Sequence, residues 1–122
     1  MASRIALMNA LYDQVTQFIH ELSNMYPDDP DFPLFLTTTR LLRTTNPSLL
    51  PKNIYEMTSP YTERIMARDE KFFIDQDFSG VETYDINLLT KIKEYVSTMT
   101  PESKQNVWAY IHNITRLSKV LN

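Results

Sequence analysis

The chain of 122 residues has no cysteine, a single glycine, two histidines and no long apolar run. Without cysteine there is no disulfide framework, no thiolate nucleophile and no thiolate metal site. That composition suits an intracellular, reducing compartment. One glycine, Gly80, cannot build a phosphate cradle of the Walker or dinucleotide-binding type, which needs several. No stretch approaches the roughly 20 apolar residues that span a bilayer, so no membrane segment is expected. The start, Met1-Ala2-Ser3-Arg4, lacks the apolar block of a signal peptide, and Ala2 excludes N-myristoylation. The chain is not strongly basic either: net charge is −3, unlike a dedicated nucleic-acid protein. Acidic excess falls in 1–33 and 72–100, basic excess in 34–71 and 101–122.

What is present is helical periodicity. Apolar residues make up 43% of the chain, enough for a core, and 122 residues predict one domain over 1–122. From Arg4 to Tyr26, the residues Ile5, Met8, Tyr12, Val15, Ile19, Leu22 and Tyr26 recur at three- and four-residue steps. Leu11, Phe18 and Met25 widen that stripe to an arc of about 160°. Asp13, Thr16, Gln17, His20 and Asn24 form the wet side. A second helix is expected over Pro33–Thr45, with Leu34, Phe35, Leu41 and Leu42 facing inward. Asn46-Pro47 ends it, because a residue before proline avoids the α region. One or two short turns are expected over Pro47–Met57. A helix should then start at Pro60 behind a Ser59 cap, with Tyr61, Ile65, Phe72 and Phe73 able to reach the core and its continuity through Asp69 left open. Asp75–Tyr84 is a polar connection, and Asp85 is a cap for a helix running toward Met99. Thr100-Pro101-Glu102 supplies a cap, a proline and an acid for the last helix. Its apolar residues are Val107, Trp108, Tyr110, Ile111, Ile114, Leu117 and Leu121. The prediction is an all-α bundle of about five to six helices, long at both ends.

Candidate sites are few. Asp75, Asp77 and Ser79, followed by Gly80, match the first half of an EF-hand calcium loop. The second half departs from it: Glu82 stands where an aliphatic residue is usual, and Ile86 where a bidentate Glu closes the site. A polar helix connection is the plainer reading, with a weak calcium-responsive module as the alternative. Asp28, Asp29 and Asp31 read as a solvated turn with a helix cap. His20 and His112 lie on different helices and lack the spacing of a helical zinc site. No nucleophile elbow is present, so no enzyme, cofactor or small-molecule substrate is expected. Asn113-Ile114-Thr115 matches a glycosylation sequon but falls in an expected helix, and is read as chance.

Two surfaces have a functional reading. Arg40 and Arg43 share a helix face among threonines, a pattern suited to phosphates, with a solvated face of ordinary salt bridges as the plainer reading. Arg64 and Arg68, with Lys71, extend that patch if their helix packs alongside, giving an accessory factor that binds nucleic acid. Trp108 and Tyr110 stand at opposite edges of the last helix's apolar arc, with Leu117 on the same helix. Aromatic residues so placed serve either as plain core, the commoner reading for Trp108, or as interface anchors. The expectation is therefore a protein–protein interaction or assembly subunit, binding a protein partner or itself.

Three stretches carry a resemblance. They are Phe18-Ile19-His20-Glu21-Leu22 with Tyr26-Pro27, then Asp69-Glu70-Lys71-Phe72-Phe73, then Lys104-Gln105-Asn106-Val107-Trp108-Ala109-Tyr110-Ile111. Together they resemble small helical proteins of nucleocytoplasmic large DNA viruses. The resemblance implies a viral accessory or virion structural protein, acting in an infected cell or in the virion. It brings no catalytic residues.

Overall fold

The computed structural model describes residues 3–76 and 88–122, with only the backbone of residues 88 and 89. Among these residues the chain is all-α. Helix α1 covers Arg4–Met25, and the hydroxyl of Ser3 caps it by accepting from the Ala6 N–H at 3.1 Å. Its buried residues are Leu11, Tyr12, Val15, Phe18, Ile19 and Leu22, the centre of the expected stripe. The stripe's first member is not part of it: Ile5 is 76% exposed.

Helix α2 spans Asp31–Thr45, starting two residues earlier than the sequence suggested. The early start brings in Phe32, which is fully buried and lies beside the rings of Tyr26 and Tyr95. The inward face is Phe32, Phe35, Thr39 and Leu42. Leu34 and Leu41 point outward instead, at 54% and 59% exposure. Thr39 is tolerated inside because its hydroxyl donates to the Phe35 carbonyl at 2.8 Å, leaving no unmet donor.

Helix α3, Leu49–Thr58, replaces the short turns expected there. Pro51 fits because it stands in the first turn, where its missing N–H would have no intrahelical acceptor. Pro51, Leu50 and Met57 are buried. The helix expected from Pro60 is broken into three parts. Ser59–Tyr61 forms a 3-10 turn without a side-chain cap, followed by α4, Thr62–Met66, and α5, Glu70–Asp75. The break lies at Arg68, whose φ of 56° is left-handed. Asp69 then restarts the helix by accepting from the Phe72 N–H at 3.1 Å. Helix α6 covers Leu88–Val96, with Ile92 and Val96 buried. The proposed cap at Asp85 lies outside the described residues. Helix α7, Pro101–Leu121, starts as expected: the Thr100 hydroxyl accepts from the Ser103 N–H at 3.2 Å.

The two long helices run antiparallel. Arg4 Nη1 donates to the Leu121 carbonyl at 2.8 Å near one end, and Phe18 stacks on Tyr110 at 4.9 Å further along. Helix α2 packs on the other side of α1, and α3 and α4 pack on α7. Among the described residues the buried apolar side chains form one cluster to which each of α1 to α7 contributes. Asn122 closes the C-terminal end by donating to the carbonyls of Pro51 and Ser118, which ties α7 to α3.

Candidate functional site

The aromatic edge of α7 does not form one surface. Trp108 is 6% exposed, and its ring meets Phe73 edge-on at 5.5 Å, so it is a core residue. Tyr110 and Leu117 are half-buried against the core cluster. Tyr110 is held between the Phe18 ring and the carboxylate of Glu21. Burial, with the hydrogen bond to Glu21, pushes its hydroxyl up to about 12. A sequence pattern cannot separate a core tryptophan at the margin of an arc from an exposed one. The deciding contact is Phe73, which comes from a different helix.

The arginines are not assembled into one face. Arg43 donates to Asp13 at 2.9 Å and to Asn9 at 3.2 Å, with its guanidinium 5.6 Å from the Tyr12 ring. It is engaged in joining α2 to α1. Arg64 lies 3.6 Å from Asp69 and 5.3 Å from the Phe72 ring. Arg40 and Arg68 are exposed. Arg40 and Arg43 ride on α2, which packs on α1, whereas Arg64 sits on α4, which packs on α7, and Arg68 lies in the break that follows α4. The calcium candidate cannot be placed as a whole. Asp75 is the exposed last residue of α5, and Asp77, Ser79 and Gly80 lie outside the described residues. Among the described residues no group of three acidic or histidine side chains is disposed to hold a metal ion. His20 is exposed and His112 half-buried. The sequon lies within α7, with Asn113 half-buried and Thr115 2% exposed.

Among the described residues an ionisable cluster joins the α1–α2 turn to α6, across about sixty residues of sequence. Lys91 Nζ lies 3.0 Å from Asp29 and 2.6 Å from Asp31. The Tyr95 hydroxyl donates to Asp29 Oδ2, the same oxygen that Lys91 approaches, and the Tyr95 ring stacks on Tyr26 at 3.9 Å. The Asp31 N–H donates to the other Asp29 oxygen at 3.0 Å. The acidic turn is therefore not simply solvated, since the cation its carboxylates hold is the Lys91 ammonium. The Tyr95 hydrogen bond, the Asp31 N–H and the Lys91 charge together keep the Asp29 carboxyl below its usual range. Hydrogen bonds to Asp31 and Asp29 hold the Lys91 ammonium above its own. Tyr95 is raised by the same bond to Asp29. Asp29, Lys91 and Tyr95 are thus each shifted away from neutrality. A proton-transfer catalyst needs the reverse, a group poised near the working pH. What the arrangement does chemically is clamp the turn to α6.

The outer side of α2 is different in kind. Pro33, Leu34, Thr37, Leu41, Thr44 and Thr45 are exposed there, with Thr38 half-buried beside them. The four threonine hydroxyls each donate back to their own helix. Thr37 bonds the Pro33 carbonyl at 3.1 Å, Thr38 that of Leu34 at 3.0 Å, and Thr44 and Thr45 both that of Leu41. Their donors are satisfied without water, so the face offers methyl and leucine carbon with only Arg40 at its margin. The outer sides of α1 and α7 carry Asp13, Gln17, His20, Glu21 and Asn24, and Glu102, Gln105, Asn106, Arg116 and Lys119, respectively. Sequence reasoning missed the α2 face because its leucines look like core residues until the burial of Phe32 and Thr39 fixes the helix's rotation.

Among the described residues no helix is long and apolar enough to cross a membrane. Comparison of the chain with protein families, with curated proteins and with solved structures finds no match.

Proposed function

We propose that the chain is a non-enzymatic protein–protein interaction or assembly subunit that docks through the outer face of α2. The observation that carries this reading is the exposure of Leu34 and Leu41, two turns apart, on a face whose threonine donors are already satisfied. Leaving such a face in water has a cost that a partner's apolar surface removes, at about 25 cal/mol for each Å² covered. The Lys91 clamp supports a structural role for the main charged cluster. The engagement of Arg43 by Asp13 and Asn9 favours protein over nucleic acid as the partner of this helix. From the resemblance to large-DNA-virus proteins, the assembly is proposed to belong to a virion or to an infected cell.

The test is affinity capture of the tagged chain from the cells that produce it, after nuclease treatment, beside the double variant Leu34→Glu/Leu41→Glu. The variant is expected to keep its helix content and to lose its protein partners at least tenfold. Partners retained in full by the variant would move the interface elsewhere. Partners lost on nuclease treatment alone would favour a nucleic-acid role.

A further inference from the structure

We infer that Ser59 is a phosphorylation site whose phosphate settles in place, in the cavity between the α3–α4 connection and the end of α7, against Arg64 and Lys119. The inference is independent of the α2 reading, since none of these residues lies on α2. Ser59 is exposed, and its hydroxyl makes no hydrogen bond among the described residues. Pro60 follows it directly, with the fixed φ and the missing N–H that a proline-directed protein kinase selects. The sequence has one other hydroxyl residue before a proline, Thr100 before Pro101. That hydroxyl is already used, accepting from the Ser103 N–H and donating to the Ser103 Oγ. Ser59 stands instead in a three-residue 3-10 turn with no side-chain cap, an element that opens at small cost to enter a kinase cleft.

The cavity, of about 590 Å³, is what gives the phosphate a place to go. Two cations border it, Arg64 and Lys119, and one carboxylate, Glu63, so its charge is net positive. Lys119 is exposed and has no acidic partner among the described residues. Arg64 meets Asp69 only at 3.6 Å, too long for a hydrogen bond, which leaves guanidinium donors unused. The Tyr55 hydroxyl, one turn before Ser59, adds a neutral donor on the same wall. A serine phosphate brings about two negative charges and three strong acceptor oxygens, and guanidinium and ammonium groups are the donors those oxygens take. Glu63, one turn after Ser59, opposes the phosphate and limits the gain.

The modification is a transfer from a nucleoside triphosphate. Ser59 Oγ bonds to the γ-phosphorus, the bond from that phosphorus to the nucleoside diphosphate breaks, and the hydroxyl proton passes to the kinase's catalytic carboxylate. The product adds a charged tie between the α3–α4 connection and α7.

Two measurements on the full chain test this. In the first, the chain is isolated from the cells that produce it and mapped by mass spectrometry. One phosphate is expected on Ser59, removed by phosphatase and absent from Ser59→Ala. In the second, phosphoserine is placed at position 59 through an expanded genetic code, and its phosphorus NMR signal is titrated. The second ionisation, near pH 6 in the urea-unfolded chain, is expected at least about half a pH unit lower in the folded one. Lys119→Met, alone and combined with Arg64→Met, should bring it back toward the unfolded value, and Glu63→Gln should lower it further. Circular dichroism checks that each variant keeps its helix content. A phosphate that titrates alike in the folded and unfolded chain overturns the placement, and so does a shift that survives loss of both cations. No phosphate on Ser59, or phosphate on Thr100 alone, overturns the modification. Saturable binding of inorganic phosphate by a chain that carries none on Ser59 in its cells overturns it too, and makes the cavity a site for a free anion.

Discussion

Lys91 shows how one side chain can decide a local structure. Its ammonium meets two carboxylates from the α1–α2 turn while Tyr95, one turn along α6, donates to the same oxygen of Asp29. The Asp29 and Lys91 side chains are only 9% and 16% exposed, so loss of the cation leaves a charge that water reaches poorly. Lys91→Met is expected to lower stability by about 1–3 kcal/mol, measured by urea unfolding. The same group of residues sets the acid limb of stability. Because the Asp29 carboxyl is lower in the fold than in the unfolded chain, its contribution is present above about pH 4 and lost as pH falls through and below that value. On the alkaline side the sign reverses. Tyr12 is buried, donates to the Pro47 carbonyl and is pushed up to about 12 chiefly by burial. Tyr110 is raised similarly, and Lys91 is raised by its carboxylates. Groups raised in the fold stabilise it below their unfolded values and cease to do so as pH rises, so the melting temperature should fall above about pH 10. Melting curves from pH 2 to 11 check both limbs, and Lys91→Met should make the acid limb shallower. Arg68, at φ 56°, is the one non-glycine residue in the left-handed region among those described. Arg68→Gly relieves that conformation and is expected to stabilise the fold by up to about 1 kcal/mol, net of glycine's entropy in the unfolded chain.

At the scale of elements, α2 carries the functional argument through its two faces. Phe35 is 6% exposed on the inner face, and Phe35→Ala is expected to cost about 3–5 kcal/mol. Leu34→Glu and Leu41→Glu on the outer face should each change stability by no more than about 0.5 kcal/mol. A loss of more than about 2 kcal/mol from either would mean that the outward leucines are core. This is also where sequence and structure part company. Helices α1 and α7 were legible because their apolar residues are numerous enough to define a rotation, and their caps at Ser3 and Thr100 follow ordinary capping chemistry. The rotation of α2 was not, since its leucines divide between core and solvent and a threonine occupies the fully buried slot. Helix α3 was hidden by Pro51, which reads as a breaker unless its place in the first turn is known. The split between α4 and α5 turns on one backbone angle at Arg68, which no residue type announces. The Lys91 clamp joins groups some sixty residues apart, and Trp108 is core only because Phe73 reaches it from α5.

For the whole molecule, two antiparallel long helices form the frame, with α2 on one side of α1 and the shorter helices against α7. That arrangement puts charged and amide side chains on the outer sides of α1 and α7, beside the exposed Ile5 and Val120, and gives α2 an outward face that is largely methyl and leucine. The central claim is that partners meet the molecule there. Hydrogen–deuterium exchange, read peptide by peptide on the chain alone and in its captured assembly, tests this directly. The account predicts slower exchange in the assembly across residues 31–45, with residues 101–121 unchanged. Slower exchange confined to residues 106–117, around Tyr110 and Leu117, would contradict it and return the interface to α7.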